Sequence, residues 1–162
     1  MRVYVPASLP RLREVLDIGR IGPAPISAVA VTPAIREWYL DDDIEALEYA
    51  ALTEAARASL RLLARTGAPA RRVVLACEVG DWLVSPSSDG GRGAVTVTAD
   101  VPLDQIDAAY VDAVDASPQV VEALAALPAA DAGDDDAQFI VDSVEDHELG
   151  WFARQEIPDL LT

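Results

Sequence analysis

The chain has no lysine, one cysteine and one histidine, and its aromatic residues number only three Trp, four Tyr and two Phe. Each shortage removes a class of chemistry. A single thiol, Cys77, closes no intramolecular disulfide and builds no cysteine-based zinc site. It sits in the apolar run Val73-Val74-Leu75-Ala76-Cys77, where a buried, inert thiol is expected. One histidine, His147, rules out an H-E-x-x-H zinc motif and limits a Ser/His/Asp triad to that one residue. No stretch approaches the roughly 20 apolar residues of a membrane span, and the start, Met1-Arg2-Val3-Tyr4-Val5-Pro6, lacks the apolar core of a secretion signal. Cations are also scarce where anions are plentiful. Residues 81–162 carry Arg92 and Arg154 against 18 Asp and Glu, so the net charge of −16 arises in the second half. Phosphate backbones and anionic lipid need clustered cations, so neither nucleic acid nor membrane is an expected partner.

What the chain does contain reads as one domain over residues 1–162, with a core of Val, Leu, Ile and Ala. Short β-type runs at 2–5 and 26–31 alternate with helical patterns, the first of these opened by Ser8 as N-cap. Thr32-Pro33 starts a short helix through Tyr39. Asp41-Asp42-Asp43 then supplies carboxylates to the positive end of a long central helix over 44–65. A β-branched run at 71–79 reads as a buried central strand, 85–93 as a Gly-rich loop, and 95–101 as an alternating, half-buried strand. A further strand over 106–114 and an Ala-rich helix from Ser117 to Pro128 follow. Residues 129–136 form an acidic internal linker, and a long C-terminal helix covers 135–156. Strands separated by helices favour parallel neighbours. The expected fold is therefore α/β: a mixed, partly parallel sheet covered by helices.

Two helices break their own apolar pattern. On the central helix, Ile44, Leu47, Ala51, Ala55, Ala58 and Leu62 define an apolar sector, and Glu48 falls inside it. On the final helix, Ile140, Val144 and Trp151 form a stripe that His147 completes, with Glu148 on the same broad face. A charged group directed indoors must be paired, hydrogen-bonded or protonated. Either Glu48, His147 and Glu148 converge on one partly buried polar site, or His147 is a satisfied core-edge histidine and each Glu pairs with an Arg.

Other residues suggest surfaces rather than chemistry. Arg57, Arg61 and Arg65 make a stripe at i, i+4 and i+8, a dock for the acidic linker or an anionic partner, or a solvated face. Arg57 and Arg61, with Arg36, Trp38 and Tyr39 of the short helix, make a candidate interaction surface. Asp142 with Glu145 and Asp146 has spacing that suits a hard cation, although no loop register of a calcium motif is present. There is no Walker loop, no dinucleotide G-x-G-x-x-G and no G-x-S-x-G elbow, and no cofactor is expected.

Several stretches together resemble an uncharacterised actinobacterial domain-of-unknown-function family. They are Met1-Arg2-Val3-Tyr4-Val5-Pro6-Ala7, the segment Ala30 to Tyr39, Leu47-Glu48-Tyr49-Ala50-Ala51, Ala56-Arg57-Ala58-Ser59-Leu60, Asp135-Asp136-Ala137-Gln138-Phe139 and Glu145-Asp146-His147-Glu148-Leu149. The resemblance implies a soluble actinobacterial protein and carries no activity, cofactor or catalytic residue. The functional expectation is a small cytoplasmic binding module without catalytic activity, recognising a protein partner or a second copy of itself. The alternative is a divalent-metal-assisted hydrolase built on the Glu/His cluster. A structural stabiliser of a larger assembly is a third.

Overall fold

The computed structural model of the chain describes residues 1–39 and 42–162. Asp41, expected to help cap the central helix, lies outside them. In chain order the elements begin with β1 (Arg2–Ala7), α1 (Leu9–Ile18), β2 (Arg20–Ile21) and β3 (Ile26–Val29). Next come α2 (Pro33–Tyr39), α3 (Ile44–Thr66), β4 (Val73–Glu78), β5 (Val84–Pro86) and β6 (Ala94–Val97). The chain finishes with β7 (Val101–Pro102), β8 (Ile106–Val111), α4 (Ser117–Asp131), α5 (Asp135–Ser143) and β9 (Gly150–Ala153), then a 3-10 segment, Arg154–Leu161.

Seven strands form one sheet in the order β5-β6-β3-β1-β4-β8-β9, and β2 with β7 makes a separate ribbon. Every paired neighbour is antiparallel. The expected partly parallel sheet is therefore wrong, and the connections explain why. Between β1 and β3 the chain travels out along α1 and back along β2 and its connector, two legs rather than one. It thus re-enters the sheet antiparallel to β1. The α2–α3 crossover does link two parallel strands, β3 and β4, but β1 fills the slot between them and pairs with both.

Alternation along β1 and β4 sends successive side chains to opposite faces. Val3, Val5, Val73, Leu75 and Cys77 pack against Leu12 and Val15 of α1 and Ile157 of the 3-10 segment. Tyr4, Val74 and Ala76 pack on the other face against Leu47, Ala51 and Ala55 of α3. A third cluster joins Leu60 and Leu63 of α3 to Val120, Ala123 and Leu127 of α4 and to Val144. Buried Ser59 fastens α3 to the sheet, donating to the Ala7 carbonyl at 2.8 Å and accepting from the Val73 amide at 3.0 Å.

Helix α3 is bounded by local chemistry. Asp43 accepts from the Glu45 amide at its start, and Gly67, at φ 66°, caps its end by donating to the Leu63 carbonyl. The expected long C-terminal helix is absent. Helix α5 stops at Ser143, a 3-10 turn spans Val144–Asp146, His147 is extended, and the chain becomes strand β9. Pairing with β8, from Ala108↔Ala153 to Val111↔Gly150, outweighs the helical periodicity. Of the stripe that suggested a core face, Val144 is buried and His147 half-buried, but Trp151 is 58% and Ile140 40% exposed. Residues 129–136 comprise the last turn of α4, a tight turn at Gly133 and the start of α5.

Candidate functional site

A cleft of about 340 Å3 opens where the first half of α3 stands over the sheet. One wall is the α3 surface carrying Glu45, Glu48, Tyr49 and Thr53. The floor is Tyr4 of β1 and Tyr110 of β8. The opposite wall is the connector from α5 to β9, with His147, Glu148 and Leu149. Glu48 and the adjacent pair His147 and Glu148, from two distant stretches of the sequence, all line this one cleft. Glu48 and His147 are half-buried and Glu148 is exposed.

Its far wall is held by a pair that sequence reasoning did not single out. Arg72 and Asp112, with side chains 3% and 0% exposed, flank the ends of β4 and β8. Asp112 accepts from the Arg72 amide at 2.7 Å, from Nε at 2.9 Å and from Nη2 at 2.8 Å. Nη2 also donates to the His147 carbonyl at 2.9 Å. The buried pair thereby fixes the connector against the sheet. Its signal in the sequence was slight: Arg72 directly precedes an apolar strand run and Asp112 directly follows one.

Tyr4 is 3% exposed and its hydroxyl is pushed up to about 12. Burial is the main cause; the charge of Glu48 adds to it and Arg2 opposes it. The phenol therefore remains a neutral, polar floor at ordinary pH. Beside the cleft, Arg57 binds Glu145 through Nε and Nη2 and Glu54 through Nη1. Hydrogen bonding to Glu145 raises the Arg57 pKa above its usual value, and burial opposes this. Glu54, which the helical wheel did not flag, is the buried carboxylate of α3 at 8% exposure.

The candidate interaction residues divide into two groups. Arg61 forms a two-pronged contact with Asp131 at 2.8 and 3.0 Å, so Arg57 and Arg61 join α3 to the α4–α5 hairpin and its connector. Arg36, Trp38 and Tyr39 are exposed on α2, where the Arg92 guanidinium lies 3.3 Å from the Trp38 ring centroid. Of the trio suggested for a cation, Asp142 accepts from Gln138 and Glu145 is engaged by Arg57. Among the described residues, no group of three or more His, Cys, Asp or Glu is arranged to hold a metal ion. No helix among them is long and apolar enough to cross a membrane.

These features define a class: an α/β protein with an antiparallel sheet between helical layers and an acidic, tyrosine-floored cleft at one end of its central helix. The family is shown by sequence. Residues 1–161 match the model of a family of unknown function (DUF6912), and the chain belongs to it. No curated protein and no solved structure matches the chain.

Proposed function

We propose that this protein is a small binding module and that the cleft beside α3 is where its ligand sits. The observation that carries this is the meeting of Glu48, His147 and Glu148 with three tyrosines around one cavity of about 340 Å3. A concave site with apolar walls and a few convergent polar groups is the usual form of a small-molecule pocket. The reading includes a cytoplasmic, actinobacterial setting and, for larger partners, a protein or a second copy of the chain. The charge of −16 weighs against nucleic acid and anionic membrane. Hydrolysis assisted by a divalent metal is disfavoured by the spread of the carboxylates.

A fragment screen followed by NMR on the whole chain tests the module. His147 is the only histidine, so its ring signals report on the cleft without assignment ambiguity. Bound fragments are expected to shift these signals saturably, and Thr53→Trp, which plugs the cleft, is expected to abolish the shifts. Fragments that bind equally well to the plugged variant would place the site elsewhere.

A further inference from the structure

The walls of the cleft also indicate what kind of molecule it takes, an inference that rests on the cleft being the binding site. Three of its carboxylates, Glu45, Glu48 and Glu148, form no ion pair with an arginine among the described residues. Among the described residues lining the cleft, Arg72 is the one arginine, and Asp112 already neutralises it. The fourth carboxylate, Glu145, is taken by Arg57. The cavity therefore carries uncompensated negative charge, inside a molecule whose overall charge of −16 also draws cations inward.

A bare metal ion does not fit this pattern, because the carboxylates do not gather around a point. Oxygen ligands must surround a hard cation at about 2.0–2.6 Å. The other lining residues point to an extended, partly apolar cation. Tyr4, Tyr49 and Tyr110 contribute aromatic surface, and Leu52 and Leu149 contribute aliphatic surface. Ring faces attract ammonium and guanidinium groups through the ring quadrupole. Tyr4, buried as a residue, stays neutral at ordinary pH and so adds polarity to the floor without a charge of its own. We propose that the cleft binds a small organic cation, an ammonium or guanidinium head on an apolar or aromatic stem, drawn in by the negative charge spread along the walls and packed with its stem against the tyrosines.

Three probes of one shape separate the charge requirement from the site itself: benzylamine, cationic at pH 7, benzyl alcohol and benzoate. Each is titrated into the intact chain while the His147 ring and the Thr53 amide are followed by NMR. Benzylamine is expected to shift both saturably, at least about tenfold more tightly than benzyl alcohol, with benzoate silent. Glu48→Gln and Glu148→Gln, each checked for an unchanged melting temperature, are expected to weaken benzylamine several-fold and leave benzyl alcohol unaffected. Tetramethylammonium and guanidinium chloride at equal ionic strength should compete with benzylamine. If benzyl alcohol or benzoate shifts these signals as tightly as benzylamine, the cation proposal is overturned while the cleft stands as a site. If none of the probes moves His147 or Thr53, the cation proposal and the binding reading fall together.

Discussion

Removing Asp112 should cost this protein more than removing any exposed carboxylate. Asp112 is fully buried and accepts three hydrogen bonds from Arg72, one from its amide and two from its guanidinium. In Asp112→Ala the guanidinium remains 3% exposed with its counter-charge gone and only the His147 carbonyl left as acceptor. Breaking a buried pair from one side typically costs about 3–5 kcal/mol. Against a domain stability of roughly 5–15 kcal/mol, that is about a fifth or more of the total. Urea unfolding followed by circular dichroism measures the loss as a drop in midpoint at constant slope. The double variant Arg72→Met with Asp112→Leu replaces both charges by apolar groups of similar size, and is expected to recover most of the loss. Because Arg72 also holds the connector, Asp112→Ala should speed amide hydrogen exchange at residues 147–149. A loss below about 1 kcal/mol, or a double variant no better than the single one, would mean that this buried pair does not hold the fold together.

Tyr4 should titrate near pH 12 in a spectrophotometric titration, against an ordinary value of 10. Its folded pKa is raised, so its contribution to stability is complete below pH 10 and is lost as pH climbs from there towards 12; unfolding midpoints unchanged across that window would contradict this. The buried Cys77 thiol, pushed up to about 12 mainly by burial, should react with Ellman's reagent at pH 8 only after denaturation. Stoichiometric labelling of the native protein would show that the strand is open. Gly93→Ala should destabilise by about 1–3 kcal/mol. Gly93 has φ +78°, and an added Cβ would lie 2.7 Å from the Ala30 carbonyl oxygen and against Ile35. A melting temperature equal to wild type would mean that the turn can relax.

Local chemistry made some elements legible. Helix α3 declares itself through Asp43, an uninterrupted run of helix formers and Gly67, and the structure places it at Ile44–Thr66, one residue beyond the expected 44–65. The apolar run Val73–Glu78 lies at the centre of the sheet, between β1 and β8. What could not be read depended on distant partners. Strand β9 exists because β8 offers it an edge, and nothing between Ser143 and Ala153 announces that. Helical periodicity drawn through Trp151 consequently described a face that does not exist. Sheet direction hinged on whether the chain made one leg or two between strands, and the two-residue strand β2 decided it. Residues 85–93 read as a Gly-rich loop, and at its end the Gly93 carbonyl accepts from the Ala30 amide at 2.9 Å, a contact that the sequence did not announce. For the cleft, the wheel found Glu48 from its angle on α3. His147 and Glu148 were reached through a helix that is really a connector, so their position on the same cleft owes nothing to the spacing that suggested it. Arg72 and Asp112 are 40 residues apart in sequence and joined only by the β4–β8 pairing.

The shared cleft is the claim on which the functional reading stands, and a spin label tests it directly. With Cys77 buried and unreactive, Glu48→Cys can be labelled selectively with a nitroxide. Loss of the His147 ring signal through paramagnetic broadening is expected, while the Trp82 indole, which lies against Gly80 and outside the cleft lining, stays sharper. A His147 signal as sharp as that of Trp82 would contradict the account.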